Sequence, residues 1–156
     1  MCVTRWLTAS EQEAWRAWIA ARILLDDQLN RVLVERHGIT LADYELLVRL
    51  SEAPDRRLRM SDLAQMTLAS RSRLSHHVDR MASAGLVERA QCAEDRRGSF
   101  AVLTEAGWEL LVAAAPDHVQ SVREYFLDAL QPRDFQALGA ACQRVADHLE
   151  PERPWK

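Results

Sequence analysis

The sequence predicts a mainly α-helical chain carrying one small β-hairpin, and three observations lead there. Apolar residues at helical spacing occupy both ends of the chain, from Trp15 to Leu33 and from Phe135 to Leu149. Shorter helical stretches between them are punctuated by glycine, proline or serine where helices start and stop. Two brief runs with strand character, Leu86 to Ala90 and Ser99 to Leu103, flank a polar stretch from Gln91 to Gly98 and predict the hairpin.

Each element follows in order. Ser10, with Glu13 three residues on, has the pattern of a capping box and opens a long amphipathic helix through Trp15, Trp18, Ile19, Ile23, Leu25, Leu29, Val32 and Leu33. His37-Gly38 ends it, because glycine tolerates the left-handed conformation that closes a helix. Thr40 then stands at an N-cap with Asp43 three residues later, and Tyr44, Leu47, Val48 and Leu50 carry a second helix to Pro54. After an arginine-rich turn at Arg56 to Arg59, Ser61 is expected to cap a short helix bearing Leu63, Ala64 and Met66. A break at Thr67 to Ser70 precedes a helix from Arg71 to Ala84, whose Leu74, Val78 and Met81 form one apolar stripe before Gly85 stops it.

The hairpin comes next. Thr104 and Ala106-Gly107 open a helical region through Trp108, Leu111 and Val112, where Pro116 is expected to kink or interrupt the run to Val119, Val122, Phe126 and Leu130. The last helix carries Phe135, Leu138, Cys142, Val145 and Leu149, a spacing suited to packing helix on helix.

Two short helices, a tight break, a helix with polar residues crowded at its start and a hairpin with a charged tip make a winged helix-turn-helix. The chain of 156 residues is read as a single domain over 1–156, with a winged-helix lobe at 40–103 and helices at 10–37 and 104–150 for dimerisation. Those flanking helices have apolar faces larger than a small winged helix can cover, so a homodimer is expected.

The charge distribution agrees. The whole chain is at -3, yet Arg56 to Arg97 holds nine arginines against five acids. The major groove of duplex DNA admits one helix whose first turns carry short or forked donors, and Ser70, Arg71, Ser72, Arg73, Ser75, His76 and His77 form that set, with Arg80 one turn further along. Arg71 and Arg73 are the candidates for bidentate contact with guanine, and the serines for positioning on the backbone. At the hairpin tip Asp95, Arg96 and Arg97 are placed in the minor groove, the acid holding one guanidinium in a fixed direction. His76 and His77 point about 100° apart on a helix and cannot form an i, i+4 metal pair.

The stretches Leu63-Ala64, Ser70 to Met81, Gly85-Leu86-Val87-Glu88-Arg89, Asp95-Arg96-Arg97 and Leu103-Thr104-Glu105-Ala106-Gly107 closely resemble the MarR family of bacterial transcriptional regulators. The resemblance implies an obligate dimer on a palindromic operator, with recognition helices in successive major grooves and wings in the flanking minor grooves. It assigns Ser70 to His77 to the recognition helix and Asp95 and Arg97 to the wing pair. Arg73 departs from the family, which often has threonine followed by an apolar residue, so base preference is not transferable. The resemblance further implies an effector pocket, commonly for small aromatic acids or phenols, and Trp15, Trp18 and Tyr44 are the candidates to line it.

Other classes find little support. No G-x-G-x-x-G, G-x-S-x-G or H-E-x-x-H occurs, which leaves no expected catalytic residues, cofactor or metal and argues against an enzyme. Cys2, Cys92 and Cys142 are odd in number and far apart, so neither a disulfide framework nor a zinc site is expected; a thiol-based redox regulator remains an alternative because Arg89, Arg96 and Arg97 bracket Cys92. A winged helix used for protein contact alone is the other alternative. No apolar run approaches a membrane span, and Met1 to Ser10 lacks a signal-peptide layout, which predicts a cytoplasmic protein.

Overall fold

Thr8, not Ser10, starts the first helix: its backbone N–H and hydroxyl donate to the Glu11 carboxylate at 2.7 and 2.9 Å, a box displaced two residues toward the N-terminus. The helix α1 runs Ala9–His37 in this computed structural model, which describes residues 4–91 and 99–149. Gly38, at φ +69°, ends it as expected. The second helix, α2 (Leu41–Glu52), has Thr40 at its N-cap as expected, and the structure completes a capping box there: the Thr40 side chain accepts from the Asp43 N–H, and the Asp43 carboxylate accepts from the Thr40 N–H.

A 3-10 turn (Pro54–Arg56) leads into the strand β1 (Arg57–Arg59), where the sequence predicts only a turn. Three residues are too few for alternation to show. Their strand character comes from pairing antiparallel to the later strand β3 (Ser99–Leu103), with Arg57 opposite Val102 and Arg59 opposite Phe100. Both arginines stack on the Phe100 ring, at 5.1 and 5.2 Å from its centre. The sheet is therefore three-stranded, in the order β1-β3-β2, with β2 at Val87–Gln91.

Helix α3 (Met60–Thr67) begins at Met60 without a side-chain cap, so Ser61 lies inside it. Leu68 closes it at φ 52°, ψ 22°, a left-handed conformation uncommon for a residue with a Cβ, and Met66 points outward. After the break, α4 (Arg71–Ser83) ends in a Schellman motif: Leu86 N–H donates to Met81 C=O at 3.0 Å and Gly85 N–H to Ala82 C=O at 2.9 Å. Gly85 takes φ +75° there.

Thr104 joins the sheet to the next helix, α5 (Glu105–Val122). Its hydroxyl donates to Gly85 C=O at 2.7 Å and accepts from Gly107 N–H at 3.0 Å, while its own N–H reaches Leu86 C=O at 3.2 Å. α5 continues through Pro116, so the proline does not interrupt the helix. The carbonyl deprived of its partner is that of Val112, a residue 51% exposed. A π-helical turn (Arg123–Leu127) follows, then α6 (Pro132–Leu149).

The chain divides into two compact units, one made of residues up to Gln28 and from Val119 onward, the other Leu29–His118. In the second unit Leu33, Leu46, Leu47, Leu50, Leu63, Leu74, Val78, Met81, Val87 and Ala101 are buried around one core. That core extends beyond residues 40–103 to take in Leu33 from α1 and Leu111 and Ala114 from α5. In the first unit α6 has no buried residue, and Phe135, Val145 and Leu149 are exposed along it. Among the described residues, no helix is long and apolar enough to cross a membrane.

Candidate nucleic-acid interface

The polar residues of α4 fall into two groups. Ser70 caps the helix, its hydroxyl accepting from the Arg73 N–H at 3.3 Å, and Leu74, Val78 and Met81 turn into the core. Arg71, Ser72, Arg73 and His76 are exposed. Among the described residues, none of these four side chains makes a hydrogen bond or ion pair, so their donors are available to a ligand.

Ser75, His77 and Arg80 are engaged inside the molecule. Arg89 of β2 donates through Nε to Asp79 at 2.7 Å, and through Nη2 to the Ser75 hydroxyl at 2.7 Å and the Ser75 carbonyl at 3.3 Å. On the other flank, His77 Nε2 lies 2.6 Å from Oδ1 of Asp43, and Arg80 forks onto both carboxylate oxygens, through Nη1 at 3.2 Å and through Nη2 in a very close contact. Asp43 is only 2% exposed. Burial by itself raises its carboxyl pKa, but the hydrogen bonds from His77, Arg80 and Thr40 outweigh burial and hold it far below the ordinary carboxylate range. The same contact raises the Arg80 pKa, so both partners are ionised.

Asp43 and Arg89 are the site residues that the sequence reading missed. Asp43 was legible only as a cap. Its second role had a faint signal: Asp43, Leu46, Leu47 and Leu50 share one helix face, so an acid occupies a position on the buried stripe. A buried carboxylate requires a cationic partner, and Arg80 supplies one.

The wing tip carrying Asp95, Arg96 and Arg97 lies outside the described residues, as do Cys2 and Cys92; Cys142 is an exposed free thiol. Trp15 and Trp18 stack on each other with ring centres 5.5 Å apart, and both are exposed on α1, with Arg22 over the Trp18 ring. Tyr44 belongs to the second unit. There it is 7% exposed, its ring 4.4 Å from that of His118. Among the described residues, no cluster of three or more His, Cys, Asp or Glu side chains is arranged to hold a metal.

The comparisons with known proteins agree with this architecture. Residues 37–98 match the model of the MarR family. The structure of AbsC, a MarR family transcriptional regulator from Streptomyces coelicolor, is 50% identical over 96% of this chain and 100% of its own, with a TM-score of 0.88. Sco3205, a MarR family transcriptional regulator from the same organism solved in complex with DNA, is 46% identical over 96% of this chain and 94% of its own, with a TM-score of 0.91. A mutant MarR from E. coli complexed with operator DNA, 22% identical over 83% of this chain and 91% of its own with a TM-score of 0.71, shares the fold. No curated protein sequence matches the chain. With the helix order, the three-stranded wing sheet and near-complete coverage by regulators up to half identical, the chain belongs to the MarR family of transcriptional regulators.

Proposed function

We propose that the protein is a sequence-specific regulator that binds duplex DNA as a homodimer, with α4 in the major groove. One observation carries this reading: Arg71, Ser72, Arg73 and His76 stand exposed at the start of α4 without a side-chain hydrogen bond or ion pair among the described residues, on a helix whose other face packs in the core. Arginine forks at that place match the acceptors of guanine, and serine hydroxyls match phosphate oxygens. Arg96 and Arg97 with Asp95 complete the proposed interface in the minor groove. That Sco3205, 46% identical, was solved in complex with DNA supports DNA as the partner here.

The dimer and the mode of control are parts of the same proposal. The winged-helix lobe is 40–103, and the helices at 10–37 and 104–150 join two copies. Apolar Trp6, Leu24, Val145 and Leu149 are each more than half exposed in one protomer, and pairing buries such surface. The dimer represses from a palindromic operator and is released by a small aromatic effector.

Selection of duplexes from a randomised pool, followed by fluorescence anisotropy across a salt series, tests the reading. The expected product is a palindrome whose half-sites lie roughly 34 to 36 Å apart. The logarithm of affinity should fall steeply with the logarithm of salt, because bound phosphates release counterions. A flat slope overturns DNA binding and favours a module for protein contact. Arg73→Ala should relax preference at one base pair, whereas Arg97→Ala should weaken binding more evenly. Small aromatic acids should release the selected duplex; if none does, the effector part of the proposal falls.

A further inference from the structure

Apolar packing seats a helix, but hydrophobic attraction itself has no direction and sets the helix's rotation less sharply than directed hydrogen bonds do. A recognition helix needs more, since a turn of about 10–20° removes its side chains from base edges. We propose that Asp43 is a positioning residue for DNA recognition: from α2 it grips His77 and Arg80 and so sets the rotation and register of α4. This inference rests on the DNA-binding reading above and names the device that aims its contacts.

The placement of residues around α4 carries the inference. At about 100° per residue, Ser72, Arg73 and His76 share one face, and the buried stripe Leu74, Val78 and Met81 lies opposite. Ser75 and Asp79 border the exposed face on one side and His77 borders it on the other, with Arg80 inside the face between His76 and Arg73. Each border is clamped from a different element: Arg89 of β2 holds Ser75 and Asp79, and Asp43 of α2 holds His77 and Arg80. Rotation in either direction stretches one clamp.

The Asp43 clamp is also saturated. Oδ1 receives His77 Nε2 and Arg80 Nη2, and Oδ2 receives Arg80 Nη1 and the Thr40 N–H at 2.9 Å, so donors occupy both oxygens. The carboxylate is anchored at its base because the Asp43 N–H donates to the Thr40 hydroxyl at 3.2 Å. A fixed acid thus aims a two-residue handle on α4. It does so at an electrostatic cost, since a negative charge beside the DNA-facing helix opposes binding to a polyanion.

That opposition gives the test its sign. Asp43→Asn, Arg80→Gln and Arg80→Lys are made in the full chain, and their affinities measured from about 50 to 300 mM salt, on the duplex selected by the wild-type protein and on a scrambled duplex. Charge alone predicts that Asp43→Asn binds both duplexes more tightly. Positioning predicts that it loses about tenfold or more on the selected duplex and under about twofold on the scrambled one, with an unchanged salt slope. Arg80→Gln should repeat that pattern, and Arg80→Lys should not rescue it, because a point charge lacks the bidentate fork.

Equal or tighter binding of the selected duplex by Asp43→Asn overturns the proposal. So does an Arg80→Gln loss that is equal on both duplexes and lowers the slope by about 0.9, which assigns Arg80 to a phosphate. Should Asp43→Asn not fold, the Arg80 pair carries the same contrast, its side chain being 58% exposed. If the wild-type protein itself selects no duplex and binds without salt dependence, the DNA-binding reading fails, an outcome distinct from a variant-specific loss.

Discussion

Gly107→Ala should destabilise the protein, although helix propensity alone predicts the opposite. Gly107 lies in the first turn of α5, where alanine is worth up to about 1 kcal/mol more than glycine. The packing reverses this. A Cβ at this position would lie 2.1 Å from the Leu86 carbonyl oxygen and 2.8 Å from Leu103 Cδ1. The leucine methyl can rotate aside, but the carbonyl is backbone, held by the Thr104 N–H and adjoining the Schellman motif that ends α4. Ordinary contact, which begins near 3.4 Å, requires a retreat of at least about 1.3 Å, which a close-packed core resists.

Overpacking of this kind costs about 1–3 kcal/mol, and each hydrogen bond strained in the Thr104 junction adds roughly 0.5–1.5 kcal/mol. Net of the propensity gain, the loss should be about 2–4 kcal/mol. In urea, with a slope near 2 kcal/mol/M for a chain of this size, the midpoint should fall by about 1–2 M at fixed protein concentration. An unchanged or raised midpoint refutes the reasoning.

Three further outcomes follow from the same physics. Leu68→Gly removes a Cβ from a left-handed position at the end of α3, and with the leucine side chain already exposed it should gain up to about 1 kcal/mol in thermal unfolding; a loss of that size refutes strain at this turn. His118 Nδ1 is buried with no hydrogen-bond partner among the described residues, and burial lowers its imidazole pKa. Its neutral form is the folded one, so stability is full above the unfolded histidine pKa and falls as pH drops through it. His118→Phe retains the ring against Tyr44 and should flatten that decline, gaining about 1 kcal/mol by removing an unsatisfied nitrogen; identical pH profiles for variant and wild type exclude it. For Asp43, whose folded pKa is depressed, the contribution is complete above the ordinary aspartate pKa and is lost as pH falls through and below it. Asp43→Asn should therefore show a shallower acid decline in equilibrium unfolding, and parallel declines would remove the ionised carboxylate as its source.

What the sequence reveals and what it conceals differ by the range of the interaction. The cap at Thr40, the glycine stops at Gly38 and Gly85 and the stripe Leu74, Val78, Met81 are local patterns, and each is legible because its partners lie within a few residues. The strand β1 was not, since Arg57–Arg59 has no pattern of its own and becomes a strand only by pairing with residues more than 40 positions away. Nor was α5's passage through Pro116 legible, because that depends on whether the abandoned carbonyl faces water.

The recognition helix shows this division within a single element. All eight of its polar candidates from Ser70 to Arg80 are assigned to DNA by sequence, yet Ser75, His77 and Arg80 have internal partners on Arg89 and Asp43. Side chains committed within the fold have less freedom to reach a ligand, since a new contact must first break an old one. A chain that uses arginine and histidine both to hold a helix and to present one therefore cannot be sorted by residue type. The buried acid on the neighbouring helix separates the two roles, and the sign of the Asp43→Asn effect on DNA affinity measures how strongly the one governs the other.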